Sequence, residues 1–308
     1  MMNNAGINLI NHNILNEICN YKIYYSKILK VTEECVIYYV LGENNKQGII
    51  KVLTSKDRIK RMQYEIEICK KIKEECNEFP CVVPRSSYLE GVYYQNYIIG
   101  KSYFEVKPTN IQKYEIANQL VRILEILKGI SYKNIKNIDD TPWKERISNM
   151  IIKYINKIYS NKIIEKKDVQ NVYDWIKDLF KSLEISDELS IVHNDLNKDN
   201  ILIDKTKSKI NIGIIDFERA IIADPLKDVS KLIWIFRKDN ELGNIFWKLY
   251  CREMGSTNMD NLKLYWSIDI LRHLSMYNQL NSINIWKKYL KEEVDILKNI
   301  VKDDYRLW

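Results

Sequence analysis

The chain has 308 residues, 46% of them hydrophobic and 29% charged, with a formal net charge of +7. That length holds two cored lobes but not several independent domains, no apolar run approaches the ~18–20 residues of a membrane span, and the start, Met1–Ile10, lacks the basic-then-apolar pattern of a signal peptide. The excess charge is spread as lysines along the chain, with no basic block carrying interleaved aromatics, so neither a nucleic-acid nor a membrane partner is expected.

The first third reads as three strands, a helix and two further strands. Tyr21–Tyr25, Cys35–Leu41 and Gly48–Leu53 are rich in β-branched and aromatic residues. The stretch from Gly42 to Gly48 has turn composition. Ser55 offers an N-cap for a helix running to about Cys76. Strand-like segments follow around Ser87–Leu89 and Val92–Ile99. From Thr109 the pattern becomes helical, with Ile116, Leu120, Ile123, Leu124 and Leu127 on one face. Thr141 and Pro142 open another helix, and helical patterns resume at about 167–184, 224–238, 243–254, 260–281 and 284–303. The expected division is a lobe over 1–100 and a helical lobe over 101–308.

Within the second lobe one stretch breaks the helical pattern. Asp195 lies five residues before Asn200, between the apolar runs Leu189–Val192 and Ile201–Ile203. A third apolar run, Ile210–Ile215, delivers Asp216 at its end. The hexamer from Asp195 to Asn200 would by itself read as a polar turn. With strand-like runs on both sides, it places oxygen-bearing side chains at strand ends, where a metal and phosphates reach them. Phosphoryl transfer needs one carboxylate to orient the accepting hydroxyl and oxygen ligands to hold Mg2+ on the phosphates. Asp195 suits the first role; Asn200 and Asp216 suit the second.

The same chemistry needs a lysine on the phosphates. Lys51 sits within the apolar strand Ile49–Leu53, where its default is to face solvent. The following helix has an apolar face of Ile59, Met62, Ile66, Cys69 and Ile72. Glu65 falls about 55° from the centre of that face and Glu67 about 145° away, so Glu65 turns inward and Glu67 faces water. A Lys51–Glu65 pair is therefore expected to hold the lysine for the phosphates.

The run His193-Asn194-Asp195-Leu196 with Asn200, together with Asp216-Phe217-Glu218 and the stretch Ala223–Asp228, resembles the aminoglycoside phosphotransferase and choline kinase superfamily. The resemblance implies an α+β, protein-kinase-like bilobal fold, with a small antiparallel-sheet N-lobe carrying one main helix and a larger, mostly helical C-lobe. It implies ATP (or GTP) and Mg2+ as cofactors, with adenine against the segment Gln95, Asn96, Tyr97 and Ile98. The phosphate-covering loop would fall at about Lys30–Cys35, which contains no glycine. His193 would brace the loop rather than act as the base. Glu218 either approaches the metal or hydrogen-bonds locally.

The helix opening at Asp224 and Pro225 begins only eight residues after Asp216, leaving no room for a protein kinase's activation segment. That spacing disfavours a protein substrate, and the resemblance implies a small hydroxylated, cationic molecule instead. An aminoglycoside-type antibiotic leads by resemblance; a choline-, ethanolamine- or homoserine-like metabolite is the alternative, and a nucleotide-binding pseudokinase the rival of another class. Anionic contacts would come from Asp239, Glu241, Glu253, Asp260, Asp269, Asp303 and Asp304. Trp234, Trp247, Trp266, Trp286 and Tyr277 offer either core or an aromatic box. Six cysteines without a CxxC pair, with no histidine beside Cys69, Cys76 and Cys81, read as free thiols of a cytosolic protein.

Overall fold

The structure, a computed structural model, describes residues 12–133, 135, 141–161, 166–182, 188–205, 209–255, 259–276 and 284–301. Asp303, Asp304 and Tyr277 lie outside them, as does the side chain of Trp286. The chain divides into two compact units: Met1–Pro108 with Tyr132–Lys136 and Lys198–Ala220, and Thr109–Ser131 with Asn137–Asn197 and Ile221–Trp308. The first unit thus takes residues 198–220 from the part of the chain assigned by sequence to the second lobe.

The first unit holds α1 (His12–Cys19), β1 (Ile23–Val31), β2 (Cys35–Gly42), β3 (Gln47–Leu53), α2 (Lys56–Glu75), β4 (Arg85–Ser86) and β5 (Val92–Asn96). The strands form a five-stranded sheet in the order β1-β2-β3-β5-β4. Alternation along the strands gives it two apolar faces. Tyr38, Val40, Ile50 and Tyr94 pack with Leu15, Ile18 and Cys19 of α1. On the other face Cys35, Leu53 and Tyr93 pack with Met62 and Ile66 of α2. The sequence pattern missed α1, an eight-residue helix that covers a face otherwise left open. It also set the fourth strand a few residues late and carried the fifth past Asn96.

Three further short strands complete this unit: β6 (Lys101–Ser102), β8 (Ile201–Asp204) and β9 (Asn211–Ile214), in the order β6-β8-β9. A four-residue helix, α3 (Tyr103–Val106), follows β6.

The second unit is mostly helical: α4 (Asn110–Gly129), α5 (Trp143–Asn161), α6 (Lys166–Ser182), α7 (Leu226–Phe236), α8 (Asn240–Met254), α9 (Met259–Ser275) and α10 (Asn284–Val301). Thr109 caps α4 in a capping box with Gln112. Among its described residues, one sheet pairs β7 (Ser190–Val192) with β10 (Ile221–Ala223), a strand that the sequence pattern did not mark. Asp224 ties three elements together. Its carboxylate accepts from Leu226 N at 2.9 Å and from Tyr265 Oη at 2.8 Å, and Trp143 Nε1 donates to Tyr265 Oη at 3.0 Å.

Candidate active site

Alternation decides where Lys51 points. Its neighbour Ile50 faces α1, so Lys51 faces α2, not solvent. Glu65 is 2% exposed on the inner side of α2. Lys51 Nζ lies 3.7 Å from Glu65 Oε2 and 2.9 Å from Asp216 Oδ1. Burial opposes the charge of Lys51, but Glu65 and Asp216 hold its pKa above the ordinary lysine value. Burial pushes the Glu65 carboxyl up, against the pull of Lys51. Glu67, expected to face water, is half-buried, because Ile68 beside it is drawn fully into the core.

A hairpin brings Asn200 beside Asp216. Ile201 of β8 pairs with Ile214 of β9, and Ile215 N donates to Asn200 O at 3.1 Å. Residues sixteen apart in sequence thereby reach one end of a two-strand ladder. Asp216 adopts φ 72°, a left-handed conformation unusual for a residue other than glycine. It is held on both sides: Lys51 takes its carboxylate, and Phe217 N donates to Glu65 Oε1 at 3.1 Å. Asn200 and Asp216 fit a Mg2+ ion, which takes one or two protein oxygens and completes its shell with water and phosphate.

Sequence reasoning missed the support behind this segment. Phe79 packs edge-on against Phe217 with ring centroids 6.1 Å apart, and Ile214 N donates to Pro80 O at 2.7 Å. Lys73 closes the loop from α2 by donating to the carbonyls of Asn77 and Phe79. Glu218, left open by sequence, binds Arg58: Nη1 lies 2.7 Å from Oε1 and 2.8 Å from Oε2.

The stretch from Gln95 to Ile98 leaves β5 alongside β3, with Gln95 opposite Ile49. Tyr97 N donates to Gln47 O at 3.1 Å, so that group is already spent in continuing the β3–β5 pairing. Asn96 Oδ1 accepts from Tyr94 Oη at 3.1 Å. The expected phosphate-covering loop is a tight turn. β1 runs on to Val31, Thr32 N donates to Cys35 O at 2.8 Å, and Thr54 N donates to Glu34 O at 3.1 Å.

In the second unit, Asp228 braces the segment that carries Asp195. Its carboxylate accepts from His193 N at 2.6 Å and from Asn194 N at 2.8 Å. Asn194 turns through φ 62°, and Asp195 N donates to His193 Nδ1 at 3.3 Å. His193 is fully buried, as a structural role requires. Burial pushes the Asp228 pKa up, while His193 and the two N–H donors oppose that shift.

The acids proposed to face a substrate are mostly engaged. Lys113 binds Asp239 and Glu241, Arg252 binds Glu253, Lys263 binds Asp260, and Lys231 and Lys227 flank Asp269. Trp266 is core, with Nε1 donating to Ser230 O at 2.7 Å. Trp234 lies under the Arg237 guanidinium at 4.1 Å, and Trp247 stacks on Tyr250. Among the described residues, all six cysteines are free, no helix is long and apolar enough to cross a membrane, and no cluster of three or more metal-ligating His, Cys, Asp or Glu occurs.

A strand lysine, a helix glutamate and an aspartate ending a hairpin are the parts of a phosphotransferase of kinase-like fold. The chain matches the model of the phosphotransferase enzyme family over residues 38–265 and belongs to that family. It is 24% identical over 209 residues to a probable serine/threonine-protein kinase of Dictyostelium discoideum; the match takes in 64% of this chain and spans 15% of that relative's length. Two solved structures share the fold. A thermostable mutant of aminoglycoside phosphotransferase APH(4)-Ia, in ternary complex with ADP and hygromycin B, is 13% identical with a TM-score of 0.71, covering 96% of this chain and 99% of that one. APH(2")-IIia, in complex with GDP and kanamycin, is 16% identical with a TM-score of 0.66, covering 95% and 98%. The fold is the α+β, kinase-like one anticipated from the motifs.

Proposed function

We propose that the chain is an ATP- and Mg2+-dependent O-phosphotransferase acting on a small hydroxylated molecule, with GTP as an alternative donor. The convergence of Lys51, Glu65 and Asp216, from a strand, the helix after it and a hairpin about 150 residues later, carries this reading. Mg-ATP supplies the phosphoryl group and the metal charge that offsets it. Asn200 and Asp216 would hold the metal. Lys51, released from Asp216 and kept in place by Glu65, would grip the phosphates. Asp195 orients the acceptor hydroxyl and takes its proton as the new bond forms. The Asp228 brace keeps the backbone leading to Asp195 in one conformation, so that orientation need not be found at each turnover.

An aminoglycoside-type, cationic substrate is the leading choice, supported by the ligands of the solved neighbours. A smaller choline-, ethanolamine- or homoserine-like metabolite is supported by one observation: among the described residues, the acids that would meet a polycation are already paired with lysines or arginines. The test is substrate-dependent ADP release from Mg-ATP, and GDP release from Mg-GTP, across aminoglycosides, choline, ethanolamine and homoserine, with Asp195→Asn as control. A hit that the variant loses establishes the kinase and its substrate class. Nucleotide binding with no turnover on any acceptor favours the pseudokinase.

A further inference from the structure

Arg58 stands in the first turns of α2, and its guanidinium reaches across to a segment 160 residues later. One nitrogen contacts both oxygens of Glu218, a carboxylate only 9% exposed. Charge-assisted contacts of this kind are roughly twice as strong as neutral hydrogen bonds. Seven residues along the helix, two turns and about 10 Å away, Glu65 accepts the backbone N–H of Phe217. The helix therefore grips two consecutive residues, Phe217 and Glu218, at two separate points. The residue just before them is Asp216, held in a left-handed backbone conformation.

The grip extends further. Arg58 Nε lies 3.5 Å from Glu34 Oε2 in the β1–β2 turn. That turn is itself tied to the end of β3 through Thr54. Glu218 also belongs electrostatically to the Lys51 group, since its charge acts on both Lys51 and Glu65. An unpaired Glu218 would add a third carboxylate beside Glu65 and Asp216, with Lys51 as their cation. Arg58 offsets that charge and fixes the turn through which the Asp216 carboxylate is aimed.

We infer that Arg58 is a positioning residue for the metal-binding aspartate, acting through Glu218. Glu218 is its handle rather than a metal ligand. The inference rests on the proposed phosphotransferase reading and adds a residue that neither the motifs nor the Lys51–Glu65 pair includes. Outer contacts that orient metal ligands change metal affinity by about 10–100-fold when removed. Arg58 is partly exposed, so its loss should leave the fold intact.

The experiment uses the full-length chain and two readouts: the Mg2+ concentration giving half-maximal binding of a fluorescent ATP analogue, and hydrogen exchange of the Phe217–Ala220 amides without nucleotide. Arg58→Ala, Glu218→Gln and the double variant should each raise the Mg2+ requirement about tenfold and speed exchange at Phe217–Ala220. The double should be no worse than either single, because both remove one contact. Arg58→Lys, which keeps the charge, should recover most of the effect. Binding of Mg-nucleotide by the wild type with an unchanged Mg2+ requirement in Arg58→Ala overturns this inference alone. So does a Glu218→Gln defect that Arg58→Ala does not share, which would make Glu218 a direct ligand. A wild type that binds no Mg-nucleotide removes the phosphotransferase reading and this inference together, even if the exchange data still show the clamp.

Discussion

Lys51 Nζ is 2.9 Å from Asp216 Oδ1 and 3.7 Å from Glu65 Oε2, so one ammonium serves two carboxylates. The shorter contact joins the group proposed for the phosphates to the group proposed for the metal. On the proposed reading, nucleotide binding would part them, and Glu65 would keep the lysine from swinging away. Lys51→Met should lower kcat/KM for ATP by about 10²-fold, the size expected when a donor to developing charge is lost. ADP release at varied ATP measures it; a loss below threefold would remove Lys51 from the phosphate site.

Glu65 makes stability depend on pH in a definite direction. Burial raises its folded pKa from 4.5 to about 7, so the folded chain holds a proton that the unfolded chain has already released. The associated stabilisation is full below pH 4.5 and is lost as pH rises through about 7. Thermal melts across this window should show the wild type losing stability relative to Glu65→Gln, whose curve lacks that component. Parallel curves would mean that Lys51 keeps Glu65 ionised throughout.

Asp228 is 1% exposed and accepts from two backbone N–H groups. Removing it takes the acceptor from a buried and a half-buried N–H, at about 1–3 kcal/mol for each unsatisfied group. Asp228→Ala should therefore cost about 2–6 kcal/mol in urea unfolding. Asp228→Asn, retaining one acceptor oxygen, should cost roughly half as much. If the loop brace also serves turnover, kcat should fall more than KM rises in both variants.

Gly213 in β9 faces Ile98, and a Cβ there would clash with Ile98 Cγ2. Gly213→Ala should destabilise the chain by about 1–3 kcal/mol, as overpacking does. Adding Ile98→Ala should relieve part of that cost and leave a small cavity instead. Additive losses in the double variant would show that the two positions do not meet.

Local order carried much of this protein in its sequence. Asp195 and Asn200 were readable because they sit five residues apart between two apolar runs. Glu65 was readable because helical periodicity places it beside an apolar stripe. The same periodicity misjudged Glu67, because Ile68 widens the buried face beyond the stripe used to centre it. The strand β10 was hidden because three residues are too few to show alternation, and they run straight into the turn at Asp224.

Contacts between distant segments belong to the tertiary structure. Arg58 carries no motif, and nothing around Arg58 or Glu218 specifies a partner 160 residues away. Lys51 in an apolar strand could have faced solvent until the packing of Ile50 against α1 chose the face. The acids offered to a cation looked free in sequence, and folding gave them lysines and arginines. A sequence pattern records the period of a backbone and hence which face a residue occupies. What that face meets is set by burial and pairing across the whole fold, and there the choice of partner for each charge was made.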